Sequence, residues 1–295
     1  MRRTSPSQGL TLFFLTGLFL LVLLFRDQIP LWRSLLFRYA VWIGLLFAFQ
    51  LVSRQRRAGH LGSFLYDFSP ILFIILIYES LGDLIQHLRQ DIDPSLIQID
   101  LFLFGIHPTV WAERWIMPWL TDVMSFFYVS YYFVPVILVA MLYFRRQRQH
   151  FDGAIFVLLF GYYISFIGYI LFPAIGPRFT LMGLQTVPLE GSFLTDFVRD
   201  TLNQLEHNRR DCMPSGHTQL SLMSLYLAYR YQRKLLYLLA PLVAGLIAST
   251  IYLRYHYVID LFAGVAVAAA CVIMAPRLYE LWNRKNEAQG GRRDE

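Results

Sequence analysis

Two histidines stand at the ends of a pair of apolar segments. One closes Cys212-Met213-Pro214-Ser215-Gly216-His217, and the other lies in Arg254-Tyr255-His256-Tyr257-Val258-Ile259-Asp260. His256 and Asp260 are four residues apart, a spacing that puts both on one face of a helix or tight helical corner. A carboxylate bonded to one ring nitrogen fixes the tautomer and leaves the other nitrogen free to attack. Pro214-Ser215-Gly216-His217 before an apolar run reads as a helix start. Ser215 caps it, Pro214 gives up no N–H that the helix needs, and Gly216 permits close backbone approach. The free amides of that first turn, with the helix dipole, form an anion site, and His217 would place a proton donor beside a bound phosphate. For either histidine alone, a satisfied interfacial histidine is the simpler explanation. Both on one side of a membrane hairpin favour catalysis.

The rest of the chain must supply that membrane. Of its 295 residues, 56% are hydrophobic, 17% aromatic and only 16% charged, which is a membrane-protein composition. The net charge of +6 is scattered in short clusters between apolar runs. That pattern fits membrane orientation rather than a nucleic-acid surface, so no nucleic-acid partner is expected. Cys212 beside the polar motif and Cys271 inside an apolar run do not suggest a disulfide framework. The first apolar run has no convincing small-residue cleavage site, so a cleavable signal is not expected.

A bilayer core of about 30 Å takes roughly 20 apolar residues as a helix. On that scale eight spans are predicted near 10–26, 35–53, 67–88, 119–144, 153–172, 214–231, 235–256 and 258–276, the first and sixth being short. Basic clusters at Arg2/Arg3, Arg54/Arg56/Arg57, Arg145/Arg146/Arg148, Arg230/Arg233/Lys234 and the Arg277–Arg293 tail fall after every second crossing. The positive-inside rule then puts both termini in the cytoplasm and segments 89–118, 173–213 and 256–260 outside. The expected fold class is an all-α polytopic membrane bundle of about eight transmembrane helices, with short interfacial helices on the outer side. It divides into an N-terminal two-helix region (1–66), a main membrane domain (67–276) and a basic cytoplasmic tail (277–295).

Several polar residues elsewhere in the chain are candidates. Glu79, Asp83 and His87 lie at i, i+4 and i+8 of the third span, and ionisable groups within a span face the bundle interior or a water-filled cavity. They read equally as a structural network or as headgroup or proton-relay groups. In segment 89–118, Asp91, Asp93, Asp100, His107 and Glu113 mix with apolar residues, with Trp111, Trp115 and Trp119 following, and Pro94, Pro108 and Pro118 preclude one long helix. Short interfacial helices are predicted there, forming an outer cap or a substrate gate. Pro173-Ala174-Ile175-Gly176-Pro177-Arg178 ends the fifth span and aims Arg178 outward as an anion ligand. The loop 179–213, with Arg199, Glu206, His207, Arg209 and Arg210, is long enough to be a lid and to carry a short surface helix.

Pro214-Ser215-Gly216-His217, followed by Ser249, His256 and Asp260 in the pattern Ser-(x)6-His-(x)3-Asp, resembles the type 2 phosphatidic acid phosphatase superfamily of membrane lipid phosphatases, related to vanadium haloperoxidases. The likeness is strong over about 210–265. A weaker likeness runs back through the Gly176-Pro177-Arg178 turn to Asp100 and Pro108, and is similar to the branch containing inositol phosphorylceramide synthases. The resemblance implies a helical bundle with a histidine nucleophile and a second histidine as acid. Two positions depart from the family pattern. Leu171 stands where the first motif has a lysine, and Thr250 where the third has an arginine after its serine. Arg254, expected on the same helix face as Thr250, would restore the charge, as would Arg209 or Arg210.

The expected activity is therefore that of a membrane lipid-phosphate phosphatase working through a phosphohistidine. The catalytic set is His256, His217 and Asp260, and the phosphate set is Arg178, Ser215, Gly216, Arg254 and Thr250. Glu79, Asp83 and Asp100 are headgroup candidates. No metal ligand spacing of the usual kinds is present and no cofactor is expected. A lipid headgroup phosphotransferase is the alternative, favoured by Thr250 and the Asp100–Pro108 stretch. A non-catalytic scaffold or transporter, with Glu79 and Asp83 lining a path, is the reading from another class.

Overall fold

The computed structural model describes residues 5–54, 59–205 and 208–291. Arg2, Arg3, Arg56, Arg57, Glu206, His207, Arg292 and Arg293 lie outside the described residues. The described chain is helical: α1 (Pro6–Leu24), α2 (Trp32–Arg54), α3 (Gly59–Leu84), α4 (Asp93–Phe104), α5 (Pro108–Trp111), α6 (Pro118–Phe144), α7 (Arg148–Leu171), α8 (Pro177–Thr180), α9 (Thr195–Leu205), α10 (Gly216–Tyr231), α11 (Arg233–Tyr252) and α12 (Val258–Gly291).

Local chemistry sets many of these ends. Pro94, Pro108 and Pro118 each fall in the first turn of a helix, where a missing N–H costs nothing. The 89–118 segment is thus divided into the short helices expected of it. Gly105 ends α4 in the left-handed region at φ 68°. The predicted boundary at 66/67 falls inside α3, and the predicted tail from 277 continues α12 as helix to Gly291.

Among the described residues, α1, α2, α3, α6, α7, α11 and α12 are long and apolar enough to cross a membrane, so the chain is an integral multi-pass membrane protein. The predicted sixth span is α10, which has only 16 residues and a length of about 24 Å. Packing explains its shortness: α6, α7, α11 and α12 surround it, so it need not match the lipid. The α4–α5 pair, running to Trp115 and bent by 63°, is apolar enough to count as a further, broken crossing.

Helix α7 is the axis of the bundle and the most buried of the spans. On one side it shares an apolar core with α1, α2 and α3, through Leu15, Tyr39, Ile77 and Phe166. On the other it shares one with α6, α10, α11 and α12, through Leu138, Phe156, Met223 and Leu239. Lipid tails are as apolar as these side chains, so packing and interhelical hydrogen bonds hold such helices together. Gln219 of α10 supplies two bonds to α7, accepting from Ser165 Oγ at 2.7 Å and donating to the Gly161 carbonyl at 2.9 Å. Bonds of this kind contribute about 0.6 kcal/mol each. Gln232 alone separates α10 from α11, so the two helices fold back on each other. The start of α10 therefore meets the end of α11, and the two histidine motifs come together.

Candidate active site

His256 lies in the turn between α11 and α12, and Asp260 lies in the first turn of α12. The turn is built by the Thr250 carbonyl, which accepts from the N–H groups of Tyr255 (2.8 Å) and His256 (3.2 Å). His256 Nδ1 then lies 3.5 Å from Asp260 Oδ2. The same carboxylate oxygen accepts from Tyr257 N–H and from the Cys212 thiol, both at 2.9 Å. Both residues are buried, Asp260 completely. With Nδ1 turned to the carboxylate, the His256 Nε2 lone pair points the other way.

It points at His217. His217 Nδ1 and His256 Nε2 are 3.1 Å apart. If Nδ1–H of His256 serves Asp260, then Nε2 accepts, and His217 Nδ1 donates to it. His217 sits between the rings of Tyr128 (4.7 Å) and Tyr131 (4.4 Å), and its Nε2 is buried with no hydrogen-bond partner. His217 lines a large cavity together with Glu79 and Asp211.

Burial, and then the neighbouring Asp260 carboxylate, push the Cys212 thiol well above its usual pKa. It is held as S–H, a donor to Asp260. Cys212 Sγ, His256 Nδ1 and Asp260 Oδ2 lie within 4.8 Å of one another, a set with which a metal could also be held. As hydrogen-bonded here, the set braces the Nδ1 side of the His256 ring.

The start of α10 takes the form its sequence suggests. Ser215 caps it, its Oγ accepting from Thr218 N–H at 3.3 Å. A Cβ at Gly216 would stand 2.3 Å from the Tyr169 hydroxyl, so the residue that approaches closely there is Tyr169. Ser215 N–H donates to the Asp260 carbonyl at 3.1 Å, tying the two motifs by backbone.

The basic residues divide into two kinds. Arg178 follows Gly176, whose φ of 89° and tight contact with the Tyr255 carbonyl (2.7 Å from an added Cβ) exclude other side chains. The Arg178 guanidinium reaches the Tyr255 hydroxyl at 3.4 Å and lies over the rings of Phe179 and Tyr255. Tyr255 stacks on Tyr128, which packs on His217, so Arg178 is joined to the histidines through two rings. Arg209 shares the Phe179 ring with it. Arg199 lines the same small pocket as Arg178, Tyr128 and Tyr255.

Arg254 is different. Helix α11 ends at Tyr252, and Arg254 turns away in the left-handed region at φ 65°. It therefore does not continue the helical face of Thr250, as i, i+4 counting expected. Its guanidinium pairs with Glu113 (2.7 Å) and donates to the Val187 carbonyl (2.6 Å) and Gln185 (3.3 Å). Burial presses its pKa down, and Glu113 pulls it back up. Arg210 is likewise engaged, with Asp91 at 2.6 Å. Thr250 is fully buried, its hydroxyl donating to the Ile247 carbonyl. At Leu171, where the resembled motif has a lysine, Arg89 donates to the backbone carbonyl at 2.8 Å.

The three headgroup candidates separate as well. Glu79 lines the cavity at His217. Asp83 pairs with Arg38 of α2. Asp100 accepts from the N–H groups of Val258 (2.8 Å) and Ile259 (2.9 Å), capping α12 beside Asp260. A related carboxylate is Asp93, one of the acids of the 89–118 segment. Asp93 accepts from Ile175 and Gly176 N–H and from the Tyr257 hydroxyl, so one carboxylate holds the Arg178 turn against the His256 turn. Its only sequence signal is an acid at the start of a proline-led helix.

Comparisons with known proteins identify the family. A family model described as the PAP2 superfamily matches residues 95–274, more than half of the chain. A PA-phosphatase related-family protein of Dictyostelium discoideum is 31% identical over 116 residues, covering 38% of this chain and 21% of that protein. A phosphoinositol dihydroceramide synthase of Bacteroides thetaiotaomicron is 26% identical over 155 residues, 48% of this chain and 51% of that one. The chain thus spans about a fifth and about half of these relatives' own lengths. No solved structure matches it. The chain belongs to the PAP2 superfamily.

Proposed function

We propose that this PAP2 superfamily protein is a lipid-phosphate phosphatase that works through a phosphohistidine on His256, at the outer face of its membrane. The carrying observation is the 3.1 Å contact of His256 Nε2 with His217 Nδ1, braced from behind by Asp260. A nucleophile needs a base-oriented lone pair, and a leaving alkoxide needs a nearby acid. These three residues supply both.

In the first step the His256 Nε2 lone pair attacks phosphorus and forms a P–N bond. The P–O bond to the lipid breaks, and protonated His217 gives the lipid oxygen its proton from Nε2. In the second step neutral His217 takes a proton from water as its oxygen attacks phosphorus. The P–N bond breaks and phosphate leaves. At 3.1 Å there is no room for phosphorus between the two rings, so His217 swings aside when the substrate enters. Charge stabilisation dominates phosphoryl transfer. Arg178, with Arg209 beside it, the Ser215 hydroxyl and the first-turn amides of α10 would hold the phosphoryl oxygens.

One observation favours a second reading. His217, the residue that handles the proton, lines a large and mostly apolar cavity, a surrounding suited to a lipid hydroxyl as acceptor in place of water. The relative named as a phosphoinositol dihydroceramide synthase points the same way. The product then is a new phospholipid and not free phosphate. Incubating purified protein with radiolabelled lipid phosphates, with and without lipid alcohols, separates the two. Free phosphate release that needs both His217 and His256 supports the first reading. Transport of lipid that survives loss of both histidines would overturn catalysis altogether.

A further inference from the structure

The cavity at His217 has a volume of about 650 Å³ and lies between α3, α6 and α7. Its lining residues show its direction. At one end are Tyr78 and Glu79 of α3, Val129 of α6 and Tyr169 of α7, with His217 and Asp211. Phe197, Val198 and Thr201 of α9 roof that end. At the other end the last lining residues are Pro70 of α3, Val139 of α6 and Ile155 of α7. From Tyr169 to Ile155 the cavity follows α7 for about 21 Å. This exceeds half of the roughly 30 Å hydrocarbon core, so the cavity is far deeper than a headgroup needs.

Beyond its far end three rings pack together. One turn beyond Val139 is Tyr143, and one turn beyond Ile155 is Phe151. Phe68 follows Pro70 inward on α3. The three rings pack on one another, with centroids 5.1 Å (Phe68–Tyr143), 5.2 Å (Tyr143–Phe151) and 5.4 Å (Phe68–Phe151) apart. Arg148, paired with Asp67, lies over the Phe151 ring beneath them. Each of the three helices that wall the cavity therefore contributes one ring to the same cluster.

We propose that this cavity seats one hydrocarbon chain of the substrate and that the Phe68–Tyr143–Phe151 plug sets the longest chain that fits. The inference rests on the phosphatase reading for its headgroup end, where the substrate's ester oxygen meets His217 Nε2. Each methylene that finds apolar lining strengthens binding about fourfold. The gain stops at the plug, because a longer chain must bend back or displace packed rings.

The test uses alkyl monophosphates from octyl to docosyl with the purified full-length protein. Affinity is measured calorimetrically on His256→Ala, which needs no turnover, and kcat/KM is measured on the unsubstituted protein. Affinity is expected to rise steeply with chain length and then stop rising at one length. Ile155→Phe, which fills the floor, moves that limit to shorter chains, and Phe68→Ala, which opens the plug, moves it to longer ones. Affinity that climbs with length through the whole series, or a limit that neither variant moves, overturns the proposal. If the limit shifts while no phosphate is released by the unsubstituted protein, the gauge stands and the phosphatase reading falls.

Discussion

Arg178 follows a turn made by Gly176 at positive φ, and Arg254 itself adopts positive φ at the same end of the bundle, yet their surroundings differ. Arg254 is buried and its charge is neutralised by Glu113 at 2.7 Å, with Val187 and Gln185 taking further hydrogens. It is a strut between the 89–118 segment, the 179–213 loop and the end of α11. Arg178 is half-exposed and rests on aromatic faces, with a single 3.4 Å bond to Tyr255. A guanidinium on rings keeps its donors for an incoming anion. What neutralises an arginine, more than where it sits, identifies its role.

The comparison is testable by separating activity from stability. Arg178→Ala is expected to lower kcat/KM by about 10²–10³, the loss of one donor to transition-state charge, with the unfolding temperature unchanged. A fall in unfolding temperature with activity kept would reverse the two roles. Arg254→Ala leaves Glu113 buried and unpaired, and should destabilise the protein by about 3 kcal/mol. Thermal unfolding in detergent checks it, and the double variant Arg254→Met with Glu113→Leu should recover most of that loss. Asp93→Asn keeps the fold but loosens the Arg178 turn relative to His256. A drop in activity on the order of 10-fold is expected, with the loss in kcat and not in substrate affinity. The smallest effect belongs to Arg209→Ala, a few-fold rise in KM, since that side chain touches the Phe179 ring and not the histidines.

The placement of His217, His256 and Asp260 was readable from the sequence because their spacing is local. His256 and Asp260 are one helical turn apart, and Ser215 caps the helix that carries His217, so short-range spacing sufficed. The spans were readable for the same reason, from runs of apolar residues. What could not be read is long-range. Asp93 and Tyr257 meet across 164 positions, and Asp100 reaches Val258 across 158. A carboxylate's assignment to a distant amide leaves no trace in its own neighbourhood. Asp100 thus looked like a headgroup ligand when it caps α12. Tyr128 and Tyr131, from one span, sandwich His217, and nothing in their own neighbourhood marks that contact. Arg254 misled in the other direction, because helical counting was carried past the point where α11 stops.

The central claim is that His256 takes the phosphoryl group. The direct measurement is rapid quenching of purified protein mixed with a radiolabelled lipid phosphate, followed by mapping of the label. The account predicts a base-stable, acid-labile phosphoprotein with the label on the peptide containing His256, absent in His256→Ala and both slower to form and slower to hydrolyse in His217→Ala. Phosphate release by His256→Ala at the unsubstituted rate, or label on any other residue, would contradict it.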